Sequence, residues 1–496
     1  MKIRINKTVC VLCLLTVSVL GGSGVFAQKK VKKAPVSEIK FVFKGIPDTM
    51  LYIATYYEDK TYMYDTLYVS KKEPYTFIMT KDTLPPRGIY LLASQNKVKY
   101  LDFVIDSSFS FTATVEHVDS QAVDLTTDIR FTGSPENEIT LAFMRKMSHY
   151  QRFIITLGNE IKQAESEENP NQSLIDQYKE ERREYQDSMR TFMFDYLDMY
   201  KNTLFGKAQL INREVQVPDP PRNADGSLVD SNFAFHYYIN HYWDYIDLQE
   251  PALLSTPIFY PKLQYYFEKV IPPLVDSIIK YTDLLVEKAE GNPPMYRYLI
   301  WYTTSRYERS QYVAHDAVFV HMVKKYYATG RYTWADEAVR ERMINKADKL
   351  GNILIGKKAP ELYMPDTNGR FRSNYESKRK YTVIWFWDLN CGHCKSATPK
   401  LVDMYNRVHD SLDFEIYAVA MTKEKKKWKE RIVEKQMPWI NVIGNESNID
   451  YRMVYDVTST PVIFVLDKDK KIIVKKIGVD ELENFIRDYD AGRIRY

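Results

Sequence analysis

The chain of 496 residues is short of cysteine, with four in all. Two of them, Cys10 and Cys13, fall in an N-terminal segment that reads as an export signal. That leaves Cys391 and Cys394, two residues apart in Cys391-Gly392-His393-Cys394. One such pair cannot staple a loop-rich fold, so a disulfide framework is excluded and the domains must hold through their cores. A structural zinc centre needs about four ligands. The histidines supply no companion pair, since His236 and His241 are five apart and His315 and His321 six. No metal and no bound cofactor is expected. Charge of one sign is also missing: 69 lysines and arginines face 65 acids, a net +4. Nothing marks a polyanion-binding surface, and nucleic acid is not an expected partner. Beyond the N-terminal segment no stretch approaches the roughly 18 apolar residues of a membrane-spanning helix, and no fixed-period repeat stands out.

What is present begins with that N-terminal segment. Lys2, Arg4 and Lys7 precede an apolar run from Thr8 to Leu20, and Val25-Phe26-Ala27 offers a cleavage site before Gln28. This is the pattern of a secretory signal peptide over residues 1–27. The other reading of the segment is an uncleaved anchor, although the run is too short for an ordinary membrane-spanning helix. Gln28–Lys33 is basic and reads as part of a solvated linker, residues 28–37.

The remaining length suggests three domains. Over residues 38–118 short apolar–polar alternations recur: at Ile39–Phe43, Leu51–Thr55, Thr66–Val69, Tyr75–Met79, Gly88–Leu92, Leu101–Ile105 and Phe109–Val115. Clusters of Pro, Gly, Asp and Lys separate them, the pattern of a small β-sandwich-like domain. Over residues 119–350 the period moves from two towards 3.6 and predicts an all-α middle domain. Its expected helices include Asn137–Ala164, Gln172–Tyr200, Pro261–Glu290, Met295–Val313 and Ala317–Tyr327, with an exposed loop at 217–230. Most of the 39 tyrosines lie here and read as packing groups, ring inward and hydroxyl outward. The domain could offer a groove to a polypeptide or simply space its neighbours apart.

The chemistry lies in residues 351–496. Tyr381–Trp387 (YTVIWFW) reads as a buried strand, then comes the cysteine pair, then a helical pattern from Lys395. A Cys-x-x-Cys at a helix N-terminus suits dithiol exchange, because free N–H groups and the positive dipole end stabilise a thiolate. The spacing lets the second sulfur reach the first and resolve a mixed disulfide. Cys391 is expected to attack and Cys394 to resolve.

With these residues the C-terminal part resembles the thioredoxin-fold domains of the periplasmic TlpA-like group. Gly356-Lys357-Lys358-Ala359-Pro360 resembles the segment leading into that group's first strand. Phe386-Trp387 precedes the active-site turn, and Pro399 stands where thioredoxins place a helix proline. Thr460-Pro461-Val462 resembles the cis-proline loop, which in the family faces the dithiol and binds substrate backbone. The resemblance implies an α/β thioredoxin fold, Thr460 and Pro461 as a substrate-binding ledge, and protein thiols or disulfides as substrates. It also implies an electron donor or acceptor that the sequence does not identify, and a periplasmic location of the Gram-negative type.

Departures from the pattern matter. The position of the family's buried acid holds Trp385, a frequent glutamate position holds Ala397, and Asn390 replaces the usual Trp before the motif. Asp388 is the nearest acid, either a proton relay or a turn residue. His393 can stabilise the Cys391 thiolate and so favour the reduced form. Cys-Gly-His-Cys resembles the motif of protein disulfide isomerases while the framework leans towards a reductase, so the direction stays open. Two other classes compete with the oxidoreductase. One is an exported binding or assembly protein that uses the domain as a surface, although it would have less need of both cysteines. The other is a thiol peroxidase-like antioxidant protein, which shares the Ala-Pro lead-in but normally has Thr or Ser where Asp388 stands.

Overall fold

The computed structural model describes residues 36–116, 128–312, 314–331 and 336–494. The expected signal segment lies outside these residues, as do residues 28–35 of the expected linker.

The β domain runs through β1 (Ser37–Phe43), β2 (Met50–Tyr57), β3 (Lys60–Tyr68), β4 (Thr76–Lys81), β5 (Gly88–Ser94), β6 (Lys99–Ile105), β7 (Phe111–Val115) and β8 (Ile129–Thr132). Two four-stranded sheets form, ordered β4-β1-β7-β8 and β3-β2-β5-β6. Alternation sets the inner faces. Ile39, Phe41 and Phe43 of β1 meet Leu51, Ile53, Leu92 and Phe103 in one core, all fully buried. Two features depart from the sequence reading. The third strand starts at Lys60, not Thr66, and pairs along β2 from Tyr57 to Met50. Its first four residues are exposed, so no burial alternation announced them. The sandwich also passes the expected boundary at residue 118, because β8 pairs antiparallel with β7. Four residues, with only Ile129 and Phe131 turned inward, are too short a run to read as a strand.

The middle domain opens with the hairpin of α1 (Pro135–Glu165) and α2 (Gln172–Met199), where the Asn171 side chain accepts the Leu174 N–H. It continues with α3 (Leu204–Leu210), α4 (Phe233–His241), α5 (Phe259–Tyr265), α6 (Val275–Lys288), α7 (Pro293–Glu308), α8 (Asp316–Met322) and α9 (Glu337–Gly351). The helix expected from Pro261 to Glu290 is broken. A π turn at Tyr266–Val270 ends at Ile271, whose extended backbone (ψ 130°) precedes Pro272-Pro273. Neither proline can donate a helical hydrogen bond, and each disfavours helix in the residue before it. Tyr242 and Tyr326 are buried whole, not with the hydroxyl outward as expected, and their hydroxyls donate to the Lys262 carbonyl (3.1 Å) and to Asp283 (2.8 Å).

The first turn of α1 is tied into the β domain. Asn137 bonds both backbone groups of Val104 at 2.7 Å, and Glu136 accepts the Phe205 N–H at 2.6 Å. Burial, reinforced by a hydrogen bond with Asp106, pushes the Glu136 carboxyl up to about 7. The neutral acid is therefore the form that folding favours. Its contribution is complete below the ordinary value of 4.5 and is lost as pH rises towards 7. Glu136→Gln retains an acceptor for Phe205 and carries no charge. The variant should gain about 2–3 kcal/mol at pH 8 and lose most of the stability slope between pH 4.5 and 7.5, as read by urea unfolding.

The C-terminal domain comprises β9 (Tyr363–Pro365), β10 (Phe371–Ser373), β11 (Tyr381–Trp387), α10 (Gly392–Val408), β12 (Phe414–Ala420), α11 (Lys425–Glu434), β13 (Ile440–Ile443), α12 (Tyr451–Val454), β14 (Val462–Leu466), β15 (Ile472–Lys475) and α13 (Val479–Asp490). The main sheet is ordered β13-β12-β11-β14-β15, with β12 parallel and β14 antiparallel to the central β11. All seven residues of β11 are buried. Its Val383, Trp385 and Trp387 face α10, α11 and α13 through Leu401, Trp428 and Ile486. Its Ile384 and Phe386 join the core that continues into the middle helices. No helix among the described residues is long and apolar enough to cross a membrane.

Candidate active site

β11 delivers the chain to Asp388, where a tight turn starts. The Asp388 carboxylate accepts the Asn390 N–H at 2.7 Å, and its carbonyl accepts the Cys391 N–H at 3.3 Å. The acid thus holds the turn that aims Cys391. Cys391 caps α10, and its Sγ accepts the Cys394 N–H at 3.2 Å. The sulfur therefore sits where a helix N-terminus concentrates unpaired donors. From the other side the Cys391 thiol donates to the Thr460 carbonyl at 3.2 Å, and Thr460-Pro461 is a cis peptide at the start of β14. Residues 69 positions apart in sequence thus meet at one sulfur.

The two thiols differ sharply. Burial alone would raise the Cys391 thiol, but hydrogen bonds from Cys394 and the Thr460 side chain, with the backbone N–H groups of Cys394 and His393, outweigh it. They hold the thiol below its ordinary value. Cys394 is only 1% exposed, and burial, followed by its bond to Cys391, pushes it up to about 12. Both are free thiols here. A rate profile for iodoacetamide should show this directly. Reduced protein is expected to alkylate at one cysteine, with a midpoint below that of an ordinary thiol, and Cys394 should stay silent through pH 10.

The sequence-derived site residues fall as follows. Cys391, Cys394, Thr460 and Pro461 come together. His393 stands beside them, but its side chain is exposed and its contact with Cys391 is made by the backbone N–H. Pro399 lies inside α10, where it cannot donate to the carbonyl four residues back. Trp385, at the place of the expected acid, is fully buried, stacked on Trp387 (5.4 Å) and edge-on to Trp439 (5.9 Å). An aromatic wall replaces a carboxylate behind Cys394, which fits that thiol's high value. Sequence reading missed Arg431 and Lys435, which line a small cavity with Cys394, Thr398 and Trp387. Which face of the charged helix α11 meets α10 is a matter of packing between separate elements. Among the described residues no group of His, Cys, Asp and Glu is placed to hold a metal ion.

Residues 379–472 match the thioredoxin-like family model. The thiol–disulfide oxidoreductase ResA of Bacillus cereus is 26% identical over 144 residues, which cover 28% of this chain and 81% of that protein. Among solved structures, a domain of a possible thiol–disulfide isomerase from Cytophaga hutchinsonii is 40% identical, covering 28% of this chain and 95% of that one (TM-score 0.27). A thiol:disulfide interchange protein from Bacteroides sp. is 28% identical, covering 28% and 91% (TM-score 0.26). These likenesses fall within little more than a quarter of the chain. The family-model match spans Cys391, Cys394, Thr460 and Pro461, and through this domain the chain belongs with the thioredoxin-like thiol–disulfide oxidoreductases.

Proposed function

We propose that this chain is an exported enzyme that exchanges disulfides with protein substrates through the Cys391–Cys394 dithiol. The observation that carries the reading is the inequality of the two thiols: one half-exposed and favoured as thiolate, the other buried and protonated. In the reducing direction the Cys391 thiolate attacks one sulfur of a substrate disulfide, forming a mixed disulfide and releasing the other sulfur as thiolate. Cys394 then gives up its proton and attacks Cys391 Sγ, which frees the second substrate sulfur. The substrate gains two electrons and two protons, and the protein is left with a Cys391–Cys394 disulfide. An external thiol or dithiol carrier returns it to the reduced state. In the oxidising direction the same steps run backwards.

Thr460 and Pro461 supply the ledge for substrate backbone, with the Thr460 carbonyl already within hydrogen-bond distance of Cys391. Asp388 is assigned to the turn, because its carboxylate is engaged by the Asn390 N–H. His393 acts on the thiolate through its backbone N–H, and its exposed ring is left to meet substrate. The pattern of residues 1–27 supports export, and with it a periplasmic site of action.

The test is the reduction potential of the pair in glutathione or dithiothreitol buffers. A reversible two-electron couple is expected. A value near −270 mV assigns a reductase, and one near −180 mV an isomerase or oxidant. A dithiol that shows no reversible couple overturns the proposal.

A further inference from the structure

The rim beside the dithiol is basic. Residues 423–435 contain seven lysines and arginines against three glutamates, an excess as large as the net charge of the whole chain. Most of these side chains are exposed along α11, which is anchored by buried Trp428. Two of the three acids there are already engaged: Glu424 with Lys427, and Glu434 with Lys435 (3.0 Å) and Arg431 (3.4 Å). Lys425 is paired with Glu446 at 2.5 Å. Among the described residues Lys423 has no carboxylate within ion-pair distance.

Lys423 also lines a cavity of about 250 Å³ at the carboxyl ends of β12 and β13, with Thr422, Asn445, Tyr451 and Arg452. The floor of the cavity is one strand from the active-site turn, since the Met421 N–H donates to the Trp387 carbonyl at 2.7 Å. Its far wall, Tyr451-Arg452, leads within ten residues to Thr460-Pro461. Exposed Arg452 lies over the Tyr451 ring (5.7 Å). The one acid lining the cavity, Asp450, accepts the Met453 N–H at 3.3 Å. The cavity thus lies beside the strand end that carries the dithiol turn, and it offers two cations and neutral donors.

Resting on the exchange reaction proposed above, we infer that this cavity is a specificity subsite for an acidic side chain of the polypeptide substrate, close to its reacting cysteine. A carboxylate seated between Lys423 and Arg452 would be drawn in by the surrounding positive field and held by charge-assisted hydrogen bonds. A lysine at the same place would meet like charge.

Three disulfide-bonded peptides, identical except for Glu, Gln or Lys beside one cysteine, test this with the full-length protein. In low salt the Glu peptide should be turned over with kcat/KM about tenfold above the Gln peptide, and the Lys peptide should fall below both. Raising ionic strength to about 0.5 M should compress the order, because exposed charges are screened over a few ångströms there. In Lys423→Gln/Arg452→Gln the Glu-to-Gln ratio should fall to about one. A wild-type protein that turns over all three alike overturns the subsite while leaving the exchange reaction intact. So does a double variant that keeps the full preference, since the discrimination would then arise elsewhere. If none of the three peptides is reduced or oxidised, the exchange reading itself fails and the subsite goes with it.

Discussion

Cys391→Ser should lose turnover of protein disulfides by on the order of 10³-fold or more, the scale seen when a reacting group is removed. Cys394→Ser should lose it to a similar degree but by a different route. The serine hydroxyl at 391 is not ionised near neutrality and cannot displace a thiolate from sulfur, so no covalent intermediate forms. In Cys394→Ser the Cys391 thiolate is still held by the N–H groups of residues 393 and 394, so the first step proceeds. The mixed disulfide then has no internal thiol to resolve it. Non-reducing gels of Cys394→Ser should show substrate captured in covalent adducts that dithiothreitol releases, and Cys391→Ser should show none. Equal capture by both variants would mean that Cys394 can attack substrate directly, which its 1% exposure and high value argue against. If Cys391→Ser kept full turnover, the dithiol would be irrelevant to the activity and an exported binding protein would become the better reading.

The parts of this site that were legible in the sequence are those written in local, strongly typed signals. A seven-residue apolar run, a Cys-x-x-Cys and a helical pattern are contiguous, and together they place the sulfur pair at a helix N-terminus. Thr460-Pro461 before a second apolar strand supplied the opposite wall. The illegible parts depend on which faces of separate elements meet. The lysines at 423–429 stand in the sequence, but only the packing of Trp428 shows which side of α11 turns inward and brings Arg431 to the cavity beside Cys394. Trp385 marked a missing acid, yet its stacking between Trp387 and Trp439 was not readable from spacing. In the fold, the start of β3 escaped notice because its first four residues are exposed, and β8 because it is so short. The break at Pro272-Pro273 was written in the sequence; the surrounding helical periodicity masked it. The carboxyl of Glu136 near Asp106 joins positions thirty apart, and no local pattern predicts that.

Asp316→Ala should be the most damaging substitution outside the dithiol, because it strands a buried cation between two domains. Lys475, at the end of β15, has a side chain only 3% exposed. Its ammonium donates to the Ile353 carbonyl at 2.8 Å and forms an ion pair with Asp316 at the start of α8. Burial drives the two partners in opposite directions: it pushes the Asp316 carboxyl up and the Lys475 ammonium down, and their attraction opposes both shifts. Remove the aspartate, and desolvation of the lysine is left without its main compensation. The expected loss is about 3–5 kcal/mol, read as a shift in the denaturant midpoint. Asp316→Ala/Lys475→Met should recover most of that loss, because an apolar side chain of similar length fills the space without a charge. The consequence reaches the active site through the sheet. Lys475 pairs in register with Phe464 of β14, two residues beyond Val462, where the strand starts next to Pro461. Phe464 packs edge-on against Tyr455 and Phe386. Loosening this corner should therefore raise KM for protein disulfides through the Thr460-Pro461 ledge. The Cys391 alkylation midpoint, set mainly by Cys394 and the N–H groups of α10 and only in part by Thr460, should move less than KM. A variant that lost both together would mean that the middle helices and β15 hold the dithiol itself in place, not only the surface it presents to substrate.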